Sequence, residues 1–332
     1  MHHRLVTNGA ANIRVGPSPI PYAGKGVFAA KAFVRNEPIV AERPFLSLIR
    51  RDGASKAGTA PARCPLCWAH ASSAASEAGF CTLHAKPSPS DALSSLLKRG
   101  IERLNTLPGY DALHAHHAAA LRDSNGREGA YPALVTRLVS LSLADLLATG
   151  SLANSYNLFA PLLKAKAKPV HALPEVWKEE YEHMARVLLQ GKGLRDMFTM
   201  EWYADQMTRL NLNSIAAAFT PRGASSPVEG TTVYLTAAML NHSCLPNVRV
   251  DWYQDNEIKV IADRDIDAGD ELSISYSGPV DLATARDENA LAERREFFRF
   301  NYGFVCTCPL CTGELHGSGK GSQSLGMDEV KI

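Results

Sequence analysis

The chain has 332 residues, 45% of them hydrophobic and 21% charged, with a formal net charge of +1. That composition predicts a packed globular core, and the near-neutral balance excludes a broad electrostatic grip on nucleic acid. No apolar run is read as long enough to span a bilayer, and Met1 to Arg14 lacks the apolar core of a signal peptide. A protein of the nucleus or cytosol with no membrane partner is therefore expected; the oligomeric state is not readable from the sequence, with a monomer as the default. The seven cysteines fall in tight groups. In a reducing compartment, Cys-x-Cys and Cys-x-x-Cys spacings point to metal rather than to disulfides.

In chain order, residues 1–23 read as irregular up to the cluster Pro17-Ser18-Pro19-Ile20-Pro21. Gly24-Lys25-Gly26-Val27-Phe28-Ala29 reads as a glycine turn entering a short strand, either a plain hairpin turn or a place where the lack of a Cβ lets the backbone approach a ligand. A second apolar stretch runs from Pro38 to Ile49 and is broken by Pro44. Residues 50–90, rich in Ala, Ser, Gly and Pro, have the composition of an inserted loop. Inside them, Cys64-Pro65-Leu66-Cys67 and Cys81-Thr82-Leu83-His84 fit a tetrahedral zinc site with three sulfurs and one nitrogen, His70 competing with His84.

Residues 91–218 read mostly as helices. Trp177, Tyr181, Met184 and Leu188 share one helical face, as do Leu134, Leu138 and Leu141. His114, His116 and His117 read as solvated helix histidines. Asn211 and Asn213 near the end of this region are poor helix-interior residues, which suggests a polar side chain with a task. Gly223 to Gly230 reads as a loop, and strands follow from Thr231. Val248, Val250 and Trp252 alternate with polar residues, a turn at Gln254-Asp255-Asn256 leads to Ile258 and Val260, and Leu272, Ile274 and Tyr276 share a strand face. Residues 285–300 read as a charged helix and residues 315–332 as a disordered Gly/Ser-rich tail.

Three motifs carry the chemistry: Asn241-His242-Ser243-Cys244-Leu245-Pro246-Asn247, then Gly269-Asp270-Glu271-Leu272-Ser273-Ile274-Ser275-Tyr276, then Tyr302-Gly303-Phe304-Val305-Cys306-Thr307-Cys308-Pro309-Leu310-Cys311. In order, spacing and residue type they resemble the SET-domain protein-lysine methyltransferases, and most closely the SMYD-like and fungal branch whose SET domain is split by an insertion. The resemblance covers Gly24 to about Ile49 and Asn211 to Cys311. In place of the fuller MYND zinc module of SMYD proteins, the insertion offers three cysteines and a histidine.

The resemblance implies an α+β fold: a SET β-fold of short strands, a largely helical insertion and a zinc-pinned post-SET segment. The parts are 13–49 and 219–300 for the SET domain, 50–90 and 91–218 for the insertions, and 301–314 for the post-SET segment. It implies S-adenosylmethionine as cofactor and a protein bearing an accessible lysine, histone or non-histone, as substrate. Gly24, Lys25, Gly26, Asn213, Asn241, His242, Tyr276 and Phe304 would contact the cofactor, with Phe304 stacking on its adenine. Tyr276 would be the catalytic tyrosine and Tyr302 its partner in the lysine channel. Cys244, Cys306, Cys308 and Cys311 would bind a structural zinc. The rival reading is a SET-like scaffold without turnover. A zinc hydrolase is disfavoured by the absence of a His-Glu-x-x-His motif.

Overall fold

The computed structural model describes residues 7–8, 10–21, 23–52, 63–66, 92–123, 128–152, 160, 162, 164, 169–253, 256–278 and 287–313. The strands are β1 Thr7–Asn8, β2 Ile13–Pro17, β3 Lys25–Ala29, β4 Pro38–Glu42, β5 Leu46–Asp52, β6 Ile215–Phe219, β7 Val228–Val233, β8 Asn241–His242, β9 Val248–Trp252, β10 Ile258–Ala262 and β11 Glu271–Ile274. The α-helices are α1 Ala92–Thr106, α2 Tyr110–Asp123, α3 Tyr131–Thr149, α4 Glu175–Leu188, α5 Leu194–Met197, α6 Met200–Asn213, α7 Glu288–Tyr302 and α8 Pro309–Thr312. The chain forms two compact units, one of residues 1–10, 41–238 and 251–259, the other of residues 11–40, 239–250 and 260–332.

The first unit is a helical body with a small antiparallel sheet in the order β5-β7-β6. Its centre is α3, buried from Tyr131 through Asp145 apart from Arg137. Pro132 starts this helix without losing a needed hydrogen bond. Gly150, at φ 70, ends it by donating its N–H to the Leu146 carbonyl. α1 crosses α3 closely at Gly100, where a Cβ would lie 3.1 Å from the Leu141 Cα, and Ser140 Oγ donates to the Gly100 carbonyl.

Against the expectation that no apolar run is long enough, α3 would suffice by length and composition to cross a membrane, but 72% of its apolar 18-residue window is buried inside the protein. Its apolarity is that of a core helix. The expected face of α4 is present, with Tyr181, Met184 and Leu188 buried.

Two expectations fail in this unit. The helical region does not run to residue 218: α6 ends at Asn213, and Ile215–Phe219 pairs antiparallel with β7, Ile215 opposite Thr232 and Phe219 opposite Val228. Burial of Ala217 against Val228, flanked by Ile49, Phe219 and Trp252, overrides the helix propensity of the alanine run. β7 likewise starts at Val228, inside the expected loop. Nor are the α2 histidines all solvated. His117 is 4% exposed, and its Nε2 lies 3.5 Å from Glu180 Oε2, while His116 Nε2 meets Glu180 Oε1 at 2.6 Å. A carboxylate on the buried side of α4 accompanies His117 inside, while His116 meets it from a half-exposed position.

The second unit is built on a sheet in the order β2-β3-β11-β8. β2 and β3 pair antiparallel from Ile13 opposite Ala29 to Pro17 opposite Lys25. This corrects the irregular reading of residues 1–23. Ile13 is buried, and Pro17 takes the last position of its strand, where a missing donor is tolerated. β3 pairs antiparallel with β11, Glu271 opposite Phe28, and β11 pairs parallel with β8, Ser273 opposite Asn241. Within this unit, Phe33 and Ile266 also form an antiparallel bridge. The register sets Gly26 of β3, Glu271 and the Asn241-His242 pair side by side.

Candidate active site

In the second unit, residues of all three motifs meet in one cluster. Gly24 has φ 69, a left-handed conformation that glycine adopts without strain. Gly26 is required for a different reason. A Cβ there would stand 2.1 Å from Glu271 Oε1, 2.8 Å from its Cδ and 3.1 Å from Asn241 Nδ2. The space left by the absent side chain holds the Glu271–Asn241 pair.

Asn241 Nδ2 donates to the Lys25 carbonyl at 2.9 Å and to Glu271 Oε1 at 2.6 Å. Glu271 Oε2 accepts from Ser18 Oγ at 2.9 Å, in the loop that joins β2 to β3. Asn247 closes the other side of the Asn-His-Ser-Cys loop. Its Nδ2 donates to the Glu271 carbonyl and its Oδ1 accepts from the Ser273 N–H, both at 2.8 Å.

The His242 ring is buried against Phe298, with centroids 4.0 Å apart. Its Nδ1 accepts the backbone N–H of Tyr276 at 3.1 Å, and its Nε2 lies 3.3 Å from Cys244 Sγ. Burial holds the imidazole pKa down at about 4, so the ring is neutral at physiological pH. With Nδ1 accepting, the proton sits on Nε2 and is donated to the sulfur. One histidine thus fixes Tyr276 to the cysteine cluster, in the manner of an outer-shell partner of a metal ligand.

Tyr276 donates its hydroxyl to the Leu240 carbonyl at 2.8 Å. Burial, then the neighbouring Tyr302 and Glu271, push its pKa above the ordinary tyrosine value, so the hydroxyl stays protonated near neutral pH. The Tyr276 and Tyr302 rings lie 5.0 Å apart. Phe304 stacks on Phe298 at 5.3 Å with an interplanar angle of 18° and stands 6.2 Å from Tyr302. α7 supplies Phe298 and Tyr302 one turn apart, and Gly303, at φ 73, reverses the chain after it.

Cys244, Cys306, Cys308 and Cys311 bring their sulfurs within 4.8 Å of one another, all four buried. Cys244 Sγ is 3.6 Å from Cys311 Sγ and 3.9 Å from Cys306 Sγ. The N–H of Cys311 and that of Thr312 both turn onto the Cys308 carbonyl, at 2.8 and 3.0 Å. Four converging buried thiols fit a structural, tetrahedral zinc, which takes thiolate ligands and leaves no open position. The Nε2–H of His242 suits the charge that such a sulfur carries.

The other residues singled out from the sequence belong to the first unit or lie outside the described residues. Asn213 belongs to the first unit, where its Nδ2 donates to the Arg209 carbonyl at 2.7 Å. Cys64 is buried in that unit. Cys67, Cys81, His84 and His70 lie outside the described residues. Among the residues that build the site, Ser18, Leu240, Asn247, Glu271 and Phe298 were given no role from sequence. Asn247 and Glu271 stand inside the quoted motifs, and the i, i+4 spacing of Phe298 and Tyr302 is a further signal.

Comparison with known proteins matches residues 24–277 to the SET domain family. A SET and MYND domain-containing protein of Dictyostelium discoideum is 32% identical over 149 residues, 43% of this chain and 41% of that protein. The histone-lysine N-methyltransferase SET5 of Vanderwaltozyma polyspora is 29% identical over 140 residues, 42% of this chain and 23% of that protein. The chain thus spans less than half the length of either relative. A crystal structure described as the SET domain of LSMT bound to MeLysine and AdoHcy overlaps 91% of this chain and 54% of its own at 13% identity, with a TM-score of 0.39. With its Asn-His, Glu-Leu and tyrosine motifs gathered in one unit and the family match running across both parts of the split β-fold, the chain belongs to the SET domain family.

Proposed function

We propose that the protein is an S-adenosylmethionine-dependent protein-lysine N-methyltransferase of the nucleus or cytoplasm. The observation that supports it best is the Tyr276–Tyr302 pair, 5.0 Å apart, anchored through His242 to the Asn241 strand and the cysteine cluster. A scaffold has no need of two facing phenols and a neutral histidine that orients one of them. The relatives' names, among them a histone-lysine N-methyltransferase, agree with this reading.

When bound, S-adenosylmethionine supplies a methyl group on a sulfonium. Gly24, Lys25, Gly26, Asn241, His242 and Phe304 form the cofactor-facing surface, and Tyr276 and Tyr302 receive the substrate lysine. A lysine amine is almost wholly charged at neutral pH, and a desolvated aromatic channel favours its neutral form. Tyr276 is held as a protonated phenol, so it orients rather than removes a proton. Its hydroxyl hydrogen is committed to Leu240, which turns the oxygen lone pairs toward an amine N–H. Alignment of this kind is worth up to about 7–11 kcal/mol in model systems. Cys244, Cys306, Cys308 and Cys311 would hold zinc and, through it, keep Tyr302 and Phe304 beside Tyr276.

The test is cofactor binding followed by transfer. Calorimetry of the zinc-loaded protein should show saturable binding of S-adenosylmethionine, and a lysine on a histone or other protein substrate should gain a methyl group. Absence of binding at near-millimolar cofactor would overturn the proposal and favour the scaffold.

A further inference from the structure

Asn241 is held in this site by a residue of the second motif, Glu271, and by the Lys25 carbonyl. Both hydrogens of its amide are used internally, one by the Lys25 carbonyl and one by the Glu271 carboxylate. Its Oδ1 has no hydrogen-bond partner among the described residues. The side chain therefore presents an acceptor and no donor.

Glu271 sits at the meeting point of β3, β11 and β8, paired with Phe28 on one side and two residues before Ser273, the partner of Asn241, on the other. Its second oxygen takes Ser18 Oγ, and Ser18 Oγ in turn accepts the Ile20 N–H at 3.1 Å, while the Ser18 N–H donates to the Gly24 carbonyl at 3.0 Å. One carboxylate thereby locks the loop that carries Gly24 and the orientation of the Asn241 amide. Gly26 leaves the space in which it does so.

We propose that Glu271, seconded by Ser18, is a positioning residue that fixes Asn241 with its carbonyl oxygen toward the cofactor, selecting a ligand that offers a hydrogen-bond donor or a cation there. This rests on the methyltransferase reading, in which the amino-acid end of S-adenosylmethionine brings an ammonium group. Without Glu271 the Asn241 amide would be held by the Lys25 carbonyl alone; it would present its NH2 more often, and a repelled ammonium would bind less often in the productive pose.

Zinc-loaded wild type, Glu271→Ala, Glu271→Gln and Ser18→Ala are compared by calorimetry with S-adenosylmethionine and by turnover on any accepted lysine substrate. Glu271→Ala should raise Kd and the cofactor KM by about tenfold or more, since a bond to a charged group is lost. Its kcat at saturating cofactor should stay within about twofold, because Tyr276 and Tyr302 are untouched. Glu271→Gln should recover most of the affinity, its amide oxygen accepting from Asn241 and its NH2 donating to Ser18. Ser18→Ala should weaken binding by a few-fold, and it decides the matter if Glu271→Ala does not fold. Unchanged affinity in Glu271→Ala or, failing that, in Ser18→Ala overturns the positioning role. So does a Gln variant as weak as Ala, which would assign the effect to charge alone. Wild type that binds no cofactor overturns instead the methyltransferase reading on which this rests.

Discussion

Gly26→Ala separates two accounts of the same glycine. If the residue serves only to let the backbone approach a ligand, the free protein should tolerate an added methyl group. The geometry says otherwise. The new Cβ would begin 2.1 Å from Glu271 Oε1, so the carboxylate must retreat by more than an ångström. That movement breaks the 2.6 Å bond from Asn241 and strains the 2.9 Å bond from Ser18. Bonds to a charged group contribute about 1.5–3 kcal/mol each, and this site is only partly buried, so a loss of about 2–4 kcal/mol in the free protein is expected.

Urea unfolding without cofactor measures it. A double-mutant cycle sharpens it: in a Glu271→Ala background the methyl group has room, and Gly26→Ala should lose most of its effect. Free Gly26→Ala protein with wild-type stability, or equal effects in the two backgrounds, would refute the packing account and restore the ligand-approach account.

Other consequences follow from the same geometry. Tyr276→Phe should lower turnover by at least about a hundredfold, with cofactor affinity nearly unchanged, and destabilise by about 1–2 kcal/mol because the Leu240 carbonyl loses its donor; unchanged turnover removes Tyr276 from catalysis. Cys311→Ser should lose about one zinc per chain by elemental analysis and loosen the segment from Tyr302 onward, since ligand loss in such sites is felt as lost folding energy; full zinc content would contradict the four-thiol site.

Glu42 in the first unit is 1% exposed and accepts the N–H groups of Thr236 and Ala237 at 2.8 and 3.0 Å. Burial, only partly offset by those bonds, raises its pKa to about 7. Between the ordinary carboxyl range and pH 7 the folded protein keeps a proton that the unfolded chain has lost. Stability therefore falls with rising pH across that window, by about 3 kcal/mol from this group. In Glu42→Gln that component should vanish, and parallel stability–pH curves for the two proteins would contradict it.

The sequence was most legible where one period or one spacing dominated. The strand Val248–Trp252, the apolar face of α4 and the four cysteines that close one cluster all follow from pattern and spacing. What escaped depends on partners far along the chain. Ile215–Phe219 is a strand only because β7 lies beside it, and Ile13–Pro17 only because β3 does. His117 is drawn inward by Glu180, 63 positions on, and nothing in its own helix marks it. The role of Glu271 is hidden for the same reason. In the motif it reads as one more turn-flanking acid, and its meaning comes from Ser18, Gly26 and Asn241, which the sheet order brings to it.

The most direct test of the central claim is intact-mass analysis of histones and of a nuclear protein pool after incubation with the zinc-loaded protein and S-adenosylmethionine. The account predicts a one-methyl increment on a lysine that disappears when Tyr276→Phe replaces the wild type. Cofactor-saturated wild type that leaves every lysine unmodified, or an increment that survives Tyr276→Phe undiminished, would contradict it.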